Sequence, residues 1–276
     1  MKNIICIFSG KSNHKWNTNK DYFESITKHI FDMLNDYKIF IFIGCFPNEV
    51  EDWNKLFIEK MKKYNNVTIN IYSDLFTQQK LLSELSRFSH GHSLGPWRDN
   101  YKLQYGKLYY TFQKAKIFIS NNNITPDYVM KLRFDFIYKP DNFFDINWFN
   151  LCDEGCLCVS STELHTNDRW SERPRGGKIA FWPKMLSDQF VFGNFHNMDI
   201  FFNLYKSNGH KEYYFNGYNR KCIEEILSNY INYHKVKCAA VDFQFSQPGG
   251  PGKKFCLGRN GKWVKERDNK IKYLNL

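Results

Sequence analysis

The segment Lys38–Gly44, KIFIFIG, constrains the fold more than any other stretch of this chain. Successive side chains of a strand point to opposite faces, so a run apolar at every interior position must be covered on both sides. A parallel sheet packed between helices meets that requirement; a sheet with one wet face does not. The flanking segments supply the partners. Residues 3–8 form another continuous apolar run, closed by Ser9-Gly10-Lys11, and Val67–Tyr72 (VTINIY) reads as a third strand. Between these runs Phe23, Ile26, Ile30, Met33 and Leu34 recur at helical spacing, and residues 53–64 do so again. The order β-α-β-α-β predicts an α/β fold, an open and mostly parallel twisted sheet flanked by helices.

Farther along, residues 75–97 are polar and rich in Ser, His and Gly, as expected of a helix followed by an excursion over the sheet. Leu103, Leu108, Tyr109, Phe112, Ala115 and Phe118 then predict a long helix over 102–121. A strand over 128–132 follows and runs into Arg133-Phe134-Asp135-Phe136, within KLRFDFIY. Charged side chains at the carboxyl end of a strand stand where open α/β sheets bind ligands. After Pro140 the pattern changes: short strand-like runs such as 156–160 alternate with a loop, 165–178, dense in Arg, Asp and Gly. Ser187-Asp188-Gln189 leads into a short apolar run over 190–193, and helices are expected over 198–206 and 223–230.

Composition removes several classes. With 276 residues, 42% hydrophobic and 18% aromatic, the chain can bury a full core and is not a disordered one. No window approaches the roughly 20 apolar residues of a membrane span. The N-terminus, MKNIICIFSG, lacks a signal peptide's long apolar region and cleavage site, so a cytoplasmic protein is expected, in the host cytoplasm if the source is viral. Eight cysteines in such a chain are read as reduced thiols, and the group Cys152, Cys156 and Cys158 lacks the second pair that a zinc site wants. The net charge of +11 favours an anionic partner: nucleic acid, an anionic membrane surface touched peripherally, or a phosphate-bearing small molecule. A solvated lysine-rich face is the competing explanation.

Several segments together resemble a family of sugar transferases, the WavE-type lipopolysaccharide-synthesis proteins with their capsular and viral relatives. An opening strand ending in Ser9-Gly10, a helix carrying Ser25-Ile26 and the strand IFIFIG come first. Tyr128, Val129, Lys131, Arg133 and Asp135 match that family's Y-V-x-K-x-R-x-D, and Ser187, Asp188, Phe190, Phe192 and Gly193 match its S-D-x-F-x-F-G. The likeness is colinear over residues 3–193. It implies a single GT-A-like domain that transfers sugar from a nucleotide-sugar donor to a glycan or other hydroxyl acceptor. Its extent would be 1–247, with a donor half, 1–139, and an acceptor half, 140–247, followed by a basic Gly-rich tail, 248–276. Many GT-A enzymes hold a divalent cation with D-x-D; here Arg133 replaces the first Asp, so Asp135 alone would ligate Mn²⁺ or Mg²⁺ together with diphosphate oxygens and water. Arg133 could instead clamp phosphate directly.

Each assignment has a plainer competitor. Arg133 and Asp135 are donor-site candidates, or a salt bridge at a strand end. Asp188, just ahead of a short apolar strand, is the candidate general base that deprotonates the acceptor, or a turn aspartate. Ser9, Gly10 and Lys11 follow the first strand and are candidates for nucleotide contact, or a tight turn. The clusters 173–178 and 249–254 could cradle phosphate but do not match a P-loop. Trp97, Trp170 and Trp182 could stack on sugars, while His90, His92 and His165 carry no ligand spacing. Competing functions are a basic nucleic-acid-binding protein, although no specific nucleic-acid motif is present, and an inactive transferase-fold scaffold. A glycoside hydrolase would need two facing carboxylates, a pairing not legible in sequence.

Overall fold

The computed structural model describes residues 1–9, 20–77, 79–81, 96–133, 137–138, 140–160, 189–206, 223–241, 243, 245–246 and 272–274. Strands β1 (Asn3–Ser9), β2 (Lys38–Gly44) and β3 (Val67–Tyr72) form where the sequence predicts them. Helix α1 (Lys20–His29) joins β1 to β2 and ends in a 3-10 turn, Phe31–Leu34. A helical stretch over 50–61, interrupted by a π turn at Asn54–Ile58, joins β2 to β3. The long helix, α2 (Pro96–Asn121), starts six residues before the apolar spacing does. Pro96 opens it, at a position where the missing N–H would have had no intrahelical partner.

The remaining elements are β4 (Tyr128–Arg133), β5 (Ile137–Tyr138), β6 (Cys156–Ser160), β7 (Val191–Gly193), α3 (Phe195–Asn203), α4 (Ile223–Tyr233), β8 (Lys237–Val241), β9 (Phe245–Ser246) and β10 (Lys272–Leu274). Helix α3 begins three residues earlier than its apolar pattern predicts, because the Asn194 side chain accepts the Asn197 N–H at 2.9 Å and caps it. Strand β8, KCAAV, escapes a pattern reading because its two alanines carry little strand signal. Strand β10 lies in the segment expected to be a basic tail, and its backbone pairs antiparallel with β8.

Among the described residues, eight strands form one sheet in the order β10-β8-β6-β7-β4-β1-β2-β3. Neighbours β3, β2, β1 and β4 are mutually parallel, and β6 is parallel to β8. Strand β7 runs antiparallel to both β4 and β6, and β10 runs antiparallel to β8. Six strands therefore share a direction and end at one edge of the sheet. The α/β architecture read from the sequence, mostly parallel and flanked by helices, is the one observed.

Both faces are covered. Ile4, Cys6, Phe8, Ile39, Ile41 and Ile43 pack under α1 and the segment 144–152, whereas Ile5, Ile7, Phe40 and Phe42 pack under α2, α3 and α4. Burying a side chain of this kind stabilises by roughly 1.5–3 kcal/mol. An exposed helical ion pair such as Lys55–Glu51 adds little beside that. The two apolar layers, not surface charge, set the architecture. Where β2 ends, helix and strand approach closely: a Cβ on Gly44 would lie 1.9 Å from Thr111 Oγ1 of α2.

Candidate functional site

The carboxyl ends of β1 and β4 lie side by side, with Ser9 paired to Arg133. On the other side of β4, the antiparallel register pairs Val129 with Gly193 and Lys131 with Val191. Continued by two residues, it sets Gln189 opposite Arg133. The side chains close that pair: Arg133 Nη1 donates to Gln189 Oε1 at 2.6 Å. Strand alternation puts Lys131 and Arg133 on the face of Val129, which packs toward α2 and α3.

Lys131 is fully buried in the row beneath, between Ile7 of β1 and Val191 of β7. Its Nζ donates upward to the Gln189 backbone carbonyl at 3.4 Å. Lys131 and Arg133 thus both reach Gln189 at the end of β4. Burying an ammonium is costly unless its surroundings compensate it.

The rim around this point is built rigidly. After β2, Glu49 accepts the Phe46 N–H and the Lys107 ammonium, each at 2.9 Å, and the ammonium also lies 3.9 Å from the Phe46 ring centre. Both charged side chains are nearly fully buried, which ties the turn after β2 to α2. On the far side, Ser160 ends β6, and its hydroxyl donates to the Phe243 carbonyl at 2.5 Å. The chain leaving the site past β4 is anchored to α1. Ser25 Oγ accepts the Tyr138 N–H at 2.8 Å, the His29 carbonyl accepts the Phe144 N–H at 2.8 Å, and His29 Nδ1 donates to the Asn142 carbonyl at 2.8 Å.

Of the residues singled out in the sequence, the structure brings together Ser9, through the backbone of β1, and Arg133. Gly10, Lys11, Asp135 and Asp188 lie outside the described residues. So do His90, His92, His165, Trp170, Trp182 and the clusters 173–178 and 249–254; Trp97 is described only as part of the backbone of α2. Gln189 was not foreseen, and Lys131 was noted only as a motif match. The period-two spacing of Lys131 and Arg133 was the available signal for one shared face; nothing in sequence set Gln189 against them.

Among the described residues, no three His, Cys, Asp or Glu side chains stand close enough to hold a metal ion. The six described cysteines are buried and unbridged, with the Cys152 and Cys158 sulfurs 4.0 Å apart. Burial pushes the Cys45 thiol up to about 11 and the Cys238 thiol up to about 12. Neither is a ready nucleophile at neutral pH.

No protein-family model matches the chain, and no curated protein matches it in sequence. Among solved structures, it is similar to mouse xyloside xylosyltransferase 1, at 11% identity and a TM-score of 0.41, over 85% of this chain and 82% of the other. A nucleoside-diphosphate-sugar pyrophosphorylase from Vibrio cholerae aligns at 9% identity and a TM-score of 0.44, over 85% and 89% of the two chains. An active-site mutant of LgtC aligns at 11% identity and a TM-score of 0.38, over 82% of this chain and 69% of its own.

Proposed function

We propose that this chain is a GT-A-like glycosyltransferase that moves a sugar from a nucleotide-sugar donor to a glycan or other hydroxyl acceptor, in polysaccharide or glycoprotein glycan synthesis. The observation that carries the proposal is the position of Arg133, at the carboxyl end of β4 beside the end of β1, with its guanidinium fixed by Gln189. A planar guanidinium held in this way suits bidentate contact with phosphate oxygens. In this reading Ser9, Gly10 and Lys11 contact the nucleotide. Asp135 ligates Mn²⁺ or Mg²⁺, a cation that would neutralise charge developing on the diphosphate as it leaves. Asp188, one residue from Gln189 in sequence, takes the acceptor's proton. Among the described residues, no helix is long and apolar enough to cross a membrane.

A thermal-shift screen of UDP-, GDP-, CMP- and dTDP-sugars, with and without Mn²⁺, tests this directly. A donor at 100 times its dissociation constant should stabilise by about 2.7 kcal/mol. No shift with any of them removes the proposal. Asp188→Asn should then lose transfer while still binding donor; equal loss of donor binding would take the base role from Asp188. The net charge of +11 keeps nucleic acid as the second reading. Salt-sensitive affinity for generic oligonucleotides, without sugar-nucleotide binding, would establish that one instead.

A further inference from the structure

Cys152 and Cys158 meet in the apolar layer that packs under α1. Cys152 lies in the last turn of the short helix Phe149–Asp153, and Cys158 lies at the centre of β6. Both side chains are fully buried, and their sulfurs stand 4.0 Å apart, so either thiol can donate to the other. The connection between them is short and firmly held. The Gly155 N–H donates to the Cys152 carbonyl at 3.0 Å, with Gly155 in the left-handed region at φ +83°. The Asn194 and Asn197 side chains, at the start of α3, donate to the Cys152 and Gly155 carbonyls at 3.3 and 2.8 Å. At the other end of the helix, the Phe149 ring lies flat on Tyr128, with centroids 3.9 Å apart. Helix, turn and strand are each fixed, and a bond needs the sulfurs to close from 4.0 Å to about 2.0 Å.

Charge restricts what a buried thiol pair can do. A metal held by two thiolates would bring negative charge into a layer that includes Phe149 and Phe192, whereas a disulfide adds none. The contact with Cys152, and then burial, push the Cys158 thiol far above its ordinary value, so Cys158 is a poor first nucleophile. Cys152 is one residue from the exposed Asp153, and opening of that last helical turn uncovers it.

We propose that Cys152 and Cys158 form a redox-sensitive latch, closed as a disulfide by a small uncharged oxidant of the peroxide class. The Cys152 thiolate attacks one peroxide oxygen; the O–O bond breaks, and the departing hydroxide takes up the thiol's proton as water. The Cys158 sulfur then displaces the hydroxyl of the resulting sulfenic acid; the S–S bond forms, and a second water carries away the Cys158 proton. Two thiols are oxidised, one peroxide is reduced to two waters, and a dithiol reductant reverses the step. The closed latch ties the helix to β6, where Cys158 is in register with Phe192 of β7 and Ala239 of β8.

The test treats the full chain with hydrogen peroxide, unfolds it in iodoacetamide and cleaves it at Glu154, which separates Cys152 from Cys156 and Cys158. The expected product is a pair of peptides bridged from Cys152 to Cys158 and released by dithiothreitol. The oxidised chain should melt roughly 2–6 °C higher than the reduced one. Cys158→Ala should abolish both the bridge and the shift, whereas Cys45→Ala, just past β2, should keep them. Should a variant fail to fold, the peptide map of the unaltered chain decides alone. Alkylation of both thiols after peroxide treatment, a bridge from Cys152 to Cys156, or sulfinic acid at Cys152 without a bridge overturns the latch. A bridge that leaves the melting temperature unchanged, or lowers it, overturns it as well.

Discussion

Gly44 ends β2 against α2, with Thr111 Oγ1 occupying the space that a side chain would need. The nearest obstacle is a hydroxyl that itself donates to the Lys107 carbonyl, so relief would cost that bond as well. Gly44→Ala should destabilise the chain by about 1–3 kcal/mol, measured by denaturant unfolding. His29 gives a second prediction at this scale. It is buried, with its ring stacked on Phe143 and near Tyr138. Burial lowers its pKa below the ordinary 6.5; the Asn142 carbonyl opposes this, Lys28 adds to it and Asp141 opposes it. Unfolded chains then take up the proton more readily, so the contribution of His29 is complete above pH 6.5 and is lost as the pH falls below it. Between pH 7 and about 5.5 the melting temperature should fall less in His29→Gln than in the unaltered chain.

Strand β5 has only two residues and depends on α1 for its place. Ser25→Ala would leave the Tyr138 N–H buried without its hydroxyl acceptor, a loss of about 1–3 kcal/mol. Amide exchange at Tyr138 should quicken accordingly, while the centre of β1 stays protected. An unchanged rate at Tyr138 would mean that β5 is held by its pairing with β9 instead. Elements of this kind mark the limit of sequence reading. Strands β1 and β2 were legible as continuous apolar runs, whereas β3 alternates apolar with polar residues and β4 carries Lys131 within its apolar stretch. A two-residue strand fixed by one serine leaves no periodic trace, and α3 began early because of a cap, not an apolar stripe. The site divides in the same way. Arg133 was legible from its position at a strand end, but its partner Gln189 depends on the register of an antiparallel strand far along the chain, which no local pattern encodes.

At the scale of the whole sheet, the described strands run from β3 on one side to β10 on the other. Because β10 covers the outer hydrogen-bonding edge of β8, Tyr273→Pro should uncover that edge. The expected result is a loss of about 1–2 kcal/mol, seen as a melting temperature lower by roughly 2–8 °C, with concentration-dependent self-association by light scattering. The central strands carry a different consequence, one of timing. Ile4 of β1 pairs with Ile39 on one side but with Tyr128 on the other. As the chain leaves the ribosome, β1 acquires one neighbour early and waits for the other until β4 has been made, at about 5–20 residues per second. During that interval the apolar strand that ends at the candidate site has an open edge. Folding speed, and any need for a chaperone, should therefore depend on how soon β4 docks, more than on the stability of the finished sheet.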